Sequence, residues 1–455
     1  MRLWVERSVG LPLRPGKTRD FAQFRAHGFL DCTDHPSPTI DARPRACLVI
    51  EDDGRTAPGR RIYKDKPPYV VPSMNEINAL PLNGLRVASL FSGCGGSSLG
   101  YRLAGFKVVY ANEFVPAAQE TYRANFPETY IDGRDIRTVT GEDIRKVIGK
   151  AELDILDGSP PCASFSMAGS RAQHWGKVKS YSDTKQRTDD LFFQYARLVS
   201  ELRPRVFVAE NVSGLVKGVG KGYFLDILAA FKELGYRVEA RLLDAQWLGV
   251  PQVRLRLIFV GVRSDLATGP AFPTPLRYRY TLRDAIPWID SAAKLSTFGG
   301  QRSANEPVPT VMTHGRQRTR NELAIVEPET DMARYSVGRE LNKLGQGQQS
   351  KRYFQLTRAA LAEPCPTVTV EGKKAHAASV AHPLECRKFS IAELRRICSF
   401  PEDFVLTGSY AQQWERLGRA VPPAMMAAIA TTLRDKVLTQ KEADHSAPLR
   451  RRKAA

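Results

Sequence analysis

The chain has 455 residues, with 67 lysines and arginines against 48 aspartates and glutamates, which gives a formal net charge of +19 at pH 7. This length allows two or three domains with at least one large core, and the positive charge indicates a polyanionic partner, with nucleic acid first. The sequence contains neither an apolar run of the roughly 18 residues that a membrane-spanning helix needs nor the apolar core of a signal peptide. We therefore expect a soluble, intracellular protein of the cytoplasm with no membrane partner.

Residues 1–84 are rich in proline and arginine, and we treat them as an N-terminal extension of unknown role. From residue 85 to residue 263, short β-branched runs alternate with longer amphipathic runs, a pattern typical of βαβ units around a parallel sheet. The last two strand-like runs, YRVEARLLDA and RLRLIFVGVR, are close enough to pair as a hairpin or to lie as neighbours. We predict a doubly wound α/β domain over residues 85–263.

The composition changes after residue 263. Residues 264–383 are rich in Pro, Gly, Arg and Thr without a sustained helical period, which indicates a separate, loop-rich module. Helical patterns return in SIAELRRICSF and PPAMMAAIATTLRDKVL, within a segment at residues 384–440. The basic tail at residues 441–455 has the charges and small residues of a disordered segment.

A glycine-rich turn follows the first strand of the α/β domain. In FSGCGGSSLG a helix opens on three glycines, Gly93, Gly95 and Gly96, and such a turn lets a ligand approach the backbone at the positive end of a helix. Glu113 lies 20 residues beyond Gly93, where a carboxylate accepts hydrogen bonds from a ribose diol. Together they predict an adenosine-containing cofactor, although the turn alone also fits close packing. Asp135 fits either the adenine amine or a helix N-cap.

A cysteine and a carboxylate follow two other strands. Cys162 comes after the apolar run DILDG and two prolines that fix its backbone. Glu210 and Asn211 end the apolar run RVFVAENV. Because strand ends of such a sheet line the ligand crevice, we expect the thiol and the carboxyl group to converge beside the cofactor. A buried carboxyl group there can stay protonated and donate hydrogen bonds, whereas a lone cysteine is more often a core residue.

Two arginines at strand spacing come next, Arg254 and Arg256 in QVRLR. Alternate residues of a strand face one side, so we expect both guanidinium groups to offer donors to a carbonyl oxygen or a phosphate. No metal site is expected, because the seven cysteines and seven histidines show no CxxC pair, no HExxH and no other zinc-ligand spacing.

At these motifs the chain resembles the DNA cytosine-5 methyltransferase family. FSGCGG, Glu113, PPC, ENV and QVRLR follow the family's order at similar spacing, as do RKFSIAELRRICSFPEDF and GRAVPP near the C-terminus. Two features depart from the pattern: Arg419 stands where the family usually has asparagine, and residues 1–84 match none of its motifs. The resemblance implies a Rossmann-like catalytic domain that uses S-adenosylmethionine, a smaller target-recognition domain at residues 264–383, and a segment at residues 384–440 that completes the catalytic domain.

The resemblance also implies roles for the motif residues. The cofactor residues are Phe91, Gly93, Gly95, Gly96, Glu113, Phe114, Asp135 and Ile136. The turn would hold the methionine end of S-adenosylmethionine, Glu113 its ribose, and Asp135 and Ile136 its adenine. The catalytic residues are Cys162, Glu210, Asn211, Arg254 and Arg256. Double-stranded DNA would lie in a cleft between the two lobes of a monomer, in a bacterial or phage setting.

The implied reaction is methyl transfer to C5 of cytosine in a specific DNA sequence. C5 is a poor nucleophile, and a thiolate that adds at C6 enriches the ring in electrons, so Cys162 is expected to attack C6 of a flipped-out base. Glu210 would bond N3 and the exocyclic amine while Arg256 holds the O2 oxygen. The alternatives are an RNA cytosine-5 methyltransferase and a non-catalytic DNA-binding regulator. The three arginines of GRQRTRN, residues 315–321, fit guanine recognition as well as phosphate contact or solvent exposure.

Overall fold

The structure is a computed structural model of the chain, and it describes residues 66–161, 190–216, 220–289 and 328–439. It also describes the backbone of five short strands: Trp4–Val5, Leu30–Asp31, Leu48–Ile50, Lys179–Tyr181 and Thr184–Gln186. Cys162, the three arginines of residues 315–321 and the tail at residues 441–455 lie outside the described residues.

An eight-stranded sheet forms the centre of the fold. In chain order its strands are β1 (Leu48–Ile50), β2 (Arg86–Leu90), β3 (Lys107–Asn112), β4 (Tyr130–Asp132), β5 (Ile155–Gly158), β6 (Val206–Val212), β7 (Tyr236–Asp244) and β8 (Leu255–Arg263). Across the sheet the order is β1-β7-β8-β6-β5-β2-β3-β4. The run from β6 to β4 is parallel, whereas β8 is antiparallel to both β6 and β7.

The predicted α/β class and the predicted neighbours at the end of the domain are thus confirmed. β7 and β8 lie within the runs YRVEARLLDA and RLRLIFVGVR, and the two strands pair over their full length. The edge strand β1 comes from the N-terminal extension and pairs in parallel with β7, which no local pattern indicated.

Helices cover both faces of the sheet. Their bounds are α1 (Met74–Ala79), α2 (Gly96–Leu103), α3 (Pro116–Asn125), α4 (Gly141–Ile148), α5 (Leu191–Leu202), α6 (Gly220–Glu233), α7 (Leu282–Ala285), α8 (Ser336–Leu341), α9 (Ile391–Ile397), α10 (Tyr410–Arg419) and α11 (Pro423–Leu433). A π-helical turn, Arg434–Leu438, continues α11. One apolar core joins α4, α5 and α6 to one face of the sheet, and a second joins α2 and α11 to the other. None of the described helices combines the length and apolar character needed to cross a membrane.

A third core connects distant parts of the chain. Apolar residues of α9 and α10 pack with α7, with residues 359–368 and with Met74 and Ile77 of α1. Both ends of the loop-rich region and the last part of the N-terminal extension therefore share one core with the C-terminal helices. Cys94, from the turn after β2, and Leu99 of α2 belong to this core as well, so the core lies beside the carboxyl end of β2.

Polar contacts fix residues 66–79 in that position. The backbone N–H of Met74 donates to the Asp403 carboxylate, at 3.0 Å from each oxygen. The Tyr69 hydroxyl donates to the Arg396 carbonyl at 2.7 Å, and the Arg396 guanidinium lies over the Tyr69 ring. This part of the extension, to which the sequence assigned no role, is an ordered part of the fold.

Candidate active site

A cleft of about 660 Å³ lies at the carboxyl ends of β2, β3, β5 and β6. Most of the predicted site residues line it: Phe91, Gly93, Gly96, Glu113, Phe114, Asp135, Ile136, Glu210, Asn211 and Arg256. Pro160 and Pro161 line it as well, so the chain leaves the described region at the cleft wall, directly before Cys162. These residues therefore lie together at the strand ends, where the sequence led us to expect a ligand crevice.

The glycine turn between β2 and α2 has a backbone that side chains disfavour. Phe91 and Gly93 have φ angles of 55° and 56°, and Gly95, the N-cap of α2, has a φ of 94°. A Cβ atom on Gly95 would lie 2.3 Å from the Phe126 ring. A Cβ atom on Gly96 would lie 2.3 Å from the carbonyl oxygen of Val421 in the C-terminal segment. The glycines therefore permit both the left-handed turn and its close contact with other segments.

Glu113 stands beside the turn with both carboxylate oxygens held by backbone donors. The N–H of Gly93 donates to one oxygen at 2.8 Å, and the N–H of Val115 donates to the other at 2.7 Å. Burial raises the pKa of this carboxyl group, while the backbone donors act in the opposite direction. Each oxygen keeps a further lone pair, so Glu113 is a fixed acceptor at the cleft wall.

Asp135 and Ile136 lie on the adjoining wall. Asp135 accepts hydrogen bonds from the backbone N–H of Arg137, at 3.0 Å, and from its guanidinium group, at 3.0 Å. Arg137 also pairs with Asp190 at 2.7 Å, which joins this loop to the start of α5. Asp135 is thus fixed by a turn rather than by capping a helix.

Glu210 and Arg256 form the charged part of the cleft. In the antiparallel register of β6 and β8, Val212 lies opposite Arg256, and the Nε atom of Arg256 is 2.6 Å from a Glu210 carboxylate oxygen. Both side chains are mostly buried, with 14% of Arg256 and 10% of Glu210 exposed. The pair presents a carboxylate and a guanidinium in fixed positions at the carboxyl end of β6.

Asn211 connects β6 to the diproline segment, Pro160 and Pro161, that precedes Cys162. Its side-chain amide donates to the carbonyl of Pro160 at 3.2 Å, and its side-chain oxygen accepts from the N–H of Val212 at 2.8 Å. Asn211 therefore fixes the backbone two residues before Cys162.

Arg254 differs from the expectation that both arginines of QVRLR face one side. Its side chain is buried and does not line the cleft. One guanidinium nitrogen donates to the carbonyls of Gly418 and Ala420, at 2.9 Å each, and the other donates to the carbonyl of Val368 at 3.3 Å. Arg254 precedes the first residue of β8, so the strand alternation does not govern its direction. The structure places it as a link between β8, the loop-rich region and the GRAVPP segment.

Arg419, the departure from the family's usual asparagine, lines the cleft at the end of α10. Its guanidinium group bonds Glu415 one turn earlier, at 2.9 Å and 2.8 Å to the same oxygen. Lys373 reaches the other oxygen of Glu415 at 2.6 Å. Glu415 and Arg419 therefore line this part of the cleft, and Lys373 holds Glu415 from outside the lining.

Asp157 is a cleft residue that the sequence reasoning missed. It is the third residue of β5, with 1% of its surface exposed. The Ser89 hydroxyl donates to one oxygen at 3.0 Å and the Tyr101 hydroxyl to the other at 3.3 Å. Burial raises the pKa of Asp157 to about 7. The available signal was the second acid of the run DILDG, which follows two apolar residues and stands three positions before Pro160.

Within the described ranges, no cluster of three or more histidine, cysteine or acidic side chains is arranged to hold a metal ion. The described lining of the cleft contains carboxylates, guanidinium groups and backbone donors, with Pro160 and Pro161 at its wall.

Comparisons with known proteins agree on one family. The family model described as C-5 cytosine-specific DNA methylase matches residues 85–435. The Type II methyltransferase M1.HphI of Haemophilus parahaemolyticus is 32% identical over 348 residues, which cover 76% of this chain and 86% of that relative. The Type II methyltransferase M.FnuDI of Fusobacterium nucleatum is 30% identical over 366 residues, 79% of this chain and 96% of that relative.

Two solved structures share the fold. A DNA modification methyltransferase encoded within an Escherichia coli prophage has a TM-score of 0.56 at 24% identity and covers 78% of this chain and 99% of that one. The Entamoeba histolytica methyltransferase EhMeth has a TM-score of 0.51 at 14% identity, over 77% of this chain and 98% of that one. At these identities the likeness concerns the fold alone.

Proposed function

The chain belongs to the C-5 cytosine-specific DNA methylase family and is a DNA cytosine-5 methyltransferase, and from this premise we propose that it methylates C5 of a flipped-out cytosine in a specific double-stranded DNA sequence, with S-adenosylmethionine as the methyl donor. Membership of this family favours DNA over RNA as the substrate and an enzyme over a regulator. The Type II names of the relatives favour a modification enzyme of a restriction-modification system.

The Glu210–Arg256 ion pair carries this proposal. It lines the same cleft as the glycine turn and Glu113, so a base bound at the ion pair and a cofactor bound at the turn would share one volume. Methyl transfer needs such an arrangement, because the donor and the acceptor carbon must meet without intervening water.

The residues around the turn fit S-adenosylmethionine. Gly96 lets the start of α2 pack closely against the C-terminal segment beside the cleft, and Glu113 keeps lone pairs for the ribose hydroxyls. Phe91 would contact the methionine end, while Phe114 and Ile136 offer apolar surface for the adenine. When bound, S-adenosylmethionine supplies a methyl group activated by a sulfonium.

Glu210 and Arg256 would hold the base. Glu210 hydrogen-bonds the N3 edge and the exocyclic amine, which stabilises the charge that develops on the ring. Arg256 fixes Glu210 through the 2.6 Å contact and offers its remaining donors toward O2. Arg254 acts at a distance, because its donors hold the carbonyls of Gly418 and Ala420 beside the cofactor region.

Cys162 supplies the nucleophile in this proposal. Its thiolate forms a bond to C6, and the ring electrons then make C5 nucleophilic. C5 takes the methyl group and S-adenosylhomocysteine is left. Loss of the C5 proton to water and cleavage of the sulfur–C6 bond then restore the aromatic ring and the thiolate. The Asn211 bond to Pro160 supports this role, since it fixes the chain directly before the thiol.

The rest of the chain would bind and select the DNA. A net charge of +19 favours a polyanionic duplex, and we assign sequence selection to the loop-rich residues 264–383. Base flipping costs a few kcal/mol, which contacts in the pocket and along the backbone offset. We propose that a monomer performs all of these steps.

A covalent trap tests the proposal. Bisulfite sequencing of DNA from cells that express the chain first gives the recognition sequence. A duplex with 5-fluorocytosine at that site should then form an adduct that survives denaturing electrophoresis, because fluorine does not leave as a proton does and elimination stalls. Adduct formation should require S-adenosylmethionine.

The Cys162→Ala variant should lose the adduct and keep binding of S-adenosylmethionine. Cys386→Ala is the matched control, because that thiol is half-buried in the segment at residues 384–440 and lines no part of the cleft. An adduct that persists in Cys162→Ala would contradict the assignment of the nucleophile.

A further inference from the structure

Asp157 lies between the two halves of the cleft. β5, which carries it, pairs with β2 on one side and β6 on the other. Across the sheet, Ser89 of β2 lies beside Asp157 on one side, and Val208 of β6 lies beside it on the other. Because side chains alternate along a strand, Glu210 points to the same face of the sheet as Asp157. Asp157 is thus placed between the glycine turn and the ion pair that would hold the base.

The described surroundings of Asp157 contain hydroxyl groups and a second acid but no ion-pair partner. Ser89 and Tyr101 donate to its oxygens, from β2 and α2. Tyr195 of α5 and Glu210 of β6 are the other titratable groups that interact with it, together with Tyr122 of α3. Arg256 is paired with Glu210. A carboxylate buried in this way is costly unless a cation accompanies it.

We infer that Asp157 is a cofactor-recognition residue that binds the positively charged methionine end of S-adenosylmethionine, an inference that rests on the proposed cofactor. The ligand brings a sulfonium and an α-ammonium group to the cleft, and either one supplies the cation that the described protein groups around Asp157 do not. The hydroxyl groups that hydrogen-bond Asp157 belong to Ser89, Ser97 and Tyr101, and each can present a proton or a lone pair to it. The carboxyl group is therefore accommodated in both its neutral and its ionised form.

Binding should therefore be linked to pH. Without a bound cation, burial raises the pKa of Asp157 to about 7, so the group carries a proton below that pH. A bound cation favours the ionised form and lowers this pKa, so binding below about pH 7 releases a proton. The affinity should rise as the pH increases toward about 7 and become constant above it.

Titration calorimetry of the full chain tests the inference. S-adenosylmethionine is bound to the wild type and to Asp157→Asn from about pH 5.5 to about pH 7.5, in buffers of different ionisation enthalpy that report the released proton. The wild-type affinity should rise by up to about tenfold per pH unit. Asp157→Asn should bind roughly 10-fold to 100-fold more weakly at the upper pH, which is the value of a hydrogen bond to a charged group, and should release no such proton.

Two further ligands identify the cation. S-adenosylhomocysteine keeps the α-ammonium group but lacks the sulfonium charge, and sinefungin carries an ammonium group in place of the sulfonium. A pH dependence with S-adenosylmethionine and sinefungin alone supports a contact with the sulfonium position. The same dependence with all three ligands supports a contact with the α-ammonium group.

Two variants complete the design. Ser89→Ala keeps the acid but removes a hydroxyl donor that lowers its pKa, so the pH dependence should move to higher pH. Glu239→Gln removes a buried acid of β7 that lines no part of the cleft and should bind like the wild type. Wild-type affinity together with wild-type pH dependence in Asp157→Asn would overturn the inference. Failure of the wild type to bind S-adenosylmethionine would instead overturn the proposed function.

Discussion

Arg254 and Arg256 stand two positions apart in QVRLR and contribute in different ways. Arg256 lines the cleft and bonds Glu210, whereas Arg254 is buried and bonds three main-chain carbonyls. The sequence predicts the positions of both residues but not this difference. The partners of Arg254 lie more than 100 residues away in the chain, and no local pattern indicates such a contact. Asp157 was missed for the same reason, since its role depends on the residues that two other strands and a helix bring to it.

Substitution by methionine should separate the two arginines. Arg256→Met removes a cleft donor and the partner of Glu210, so we expect methyl transfer to fall by roughly 100-fold to 1,000-fold. Because Glu210 lines the cleft, where water can solvate its carboxylate, we expect a smaller loss of stability than in Arg254→Met. Arg254→Met leaves the carbonyls of Gly418 and Ala420 without their donor, and an unpaired buried acceptor costs roughly 1–3 kcal/mol. We therefore expect Arg254→Met to lower the free energy of unfolding by at least about 2 kcal/mol.

Urea denaturation and single-turnover methylation, measured on both variants, check this pair of predictions. Equal loss of stability in the two variants would mean that Arg256 is also structural. Full stability of Arg254→Met would mean that its three hydrogen bonds contribute nothing.

Among the elements, the turn between β2 and α2 depends on contacts with a distant part of the chain. Periodicity in the sequence predicts the strand and the helix, and the three glycines predict the turn between them. The sequence does not show why Gly96 must be a glycine. In the structure, the start of α2 packs against the carbonyl of Val421 from the GRAVPP segment. The cofactor side of the cleft therefore forms only when the C-terminal segment is in place.

Gly96→Ala should disturb that contact. The new Cβ atom would lie 2.3 Å from the Val421 carbonyl oxygen, so one of the two segments must move. Overpacking of this kind costs roughly 1–3 kcal/mol, and we expect weaker binding of S-adenosylmethionine together with a lower melting temperature. Gly222→Ala in α6 is the matched control, since nothing lies within 4 Å of its Cβ position. Alanine at that helical position should be neutral or stabilising; if both variants behave alike, the packing argument for Gly96 is wrong.

Taken as a whole, the molecule combines segments that the sequence presents as separate. The α/β sheet and the strand ends of the cleft follow from alternating patterns and from the geometry of parallel sheets. The third core does not, because it joins α1, α7 and residues 359–368 to the C-terminal helices through contacts of long sequence separation. Residues 367–371 of the loop-rich region even line the cleft. Sequence selection, if it belongs to residues 264–383, must therefore lie in the part of that region away from this shared core.

The arginines of GRQRTRN provide the test of that division. We predict that Arg316→Ala, Arg318→Ala and Arg320→Ala change DNA recognition and leave binding of S-adenosylmethionine near the wild-type value. A lost base contact should relax the preference at one position of the methylated sequence by roughly 1–3 kcal/mol. A lost phosphate contact should weaken binding to all sequences alike and lower the salt dependence of binding.

Arg358→Ala is the control, because that buried guanidinium donates to the carbonyls of Leu341 and Pro383. It should reduce stability and leave the sequence preference unchanged. Bisulfite sequencing, DNA binding at several salt concentrations and calorimetry distinguish these results. Arginine variants that lost S-adenosylmethionine binding and kept the original sequence preference would show that the region serves the cofactor rather than the DNA sequence.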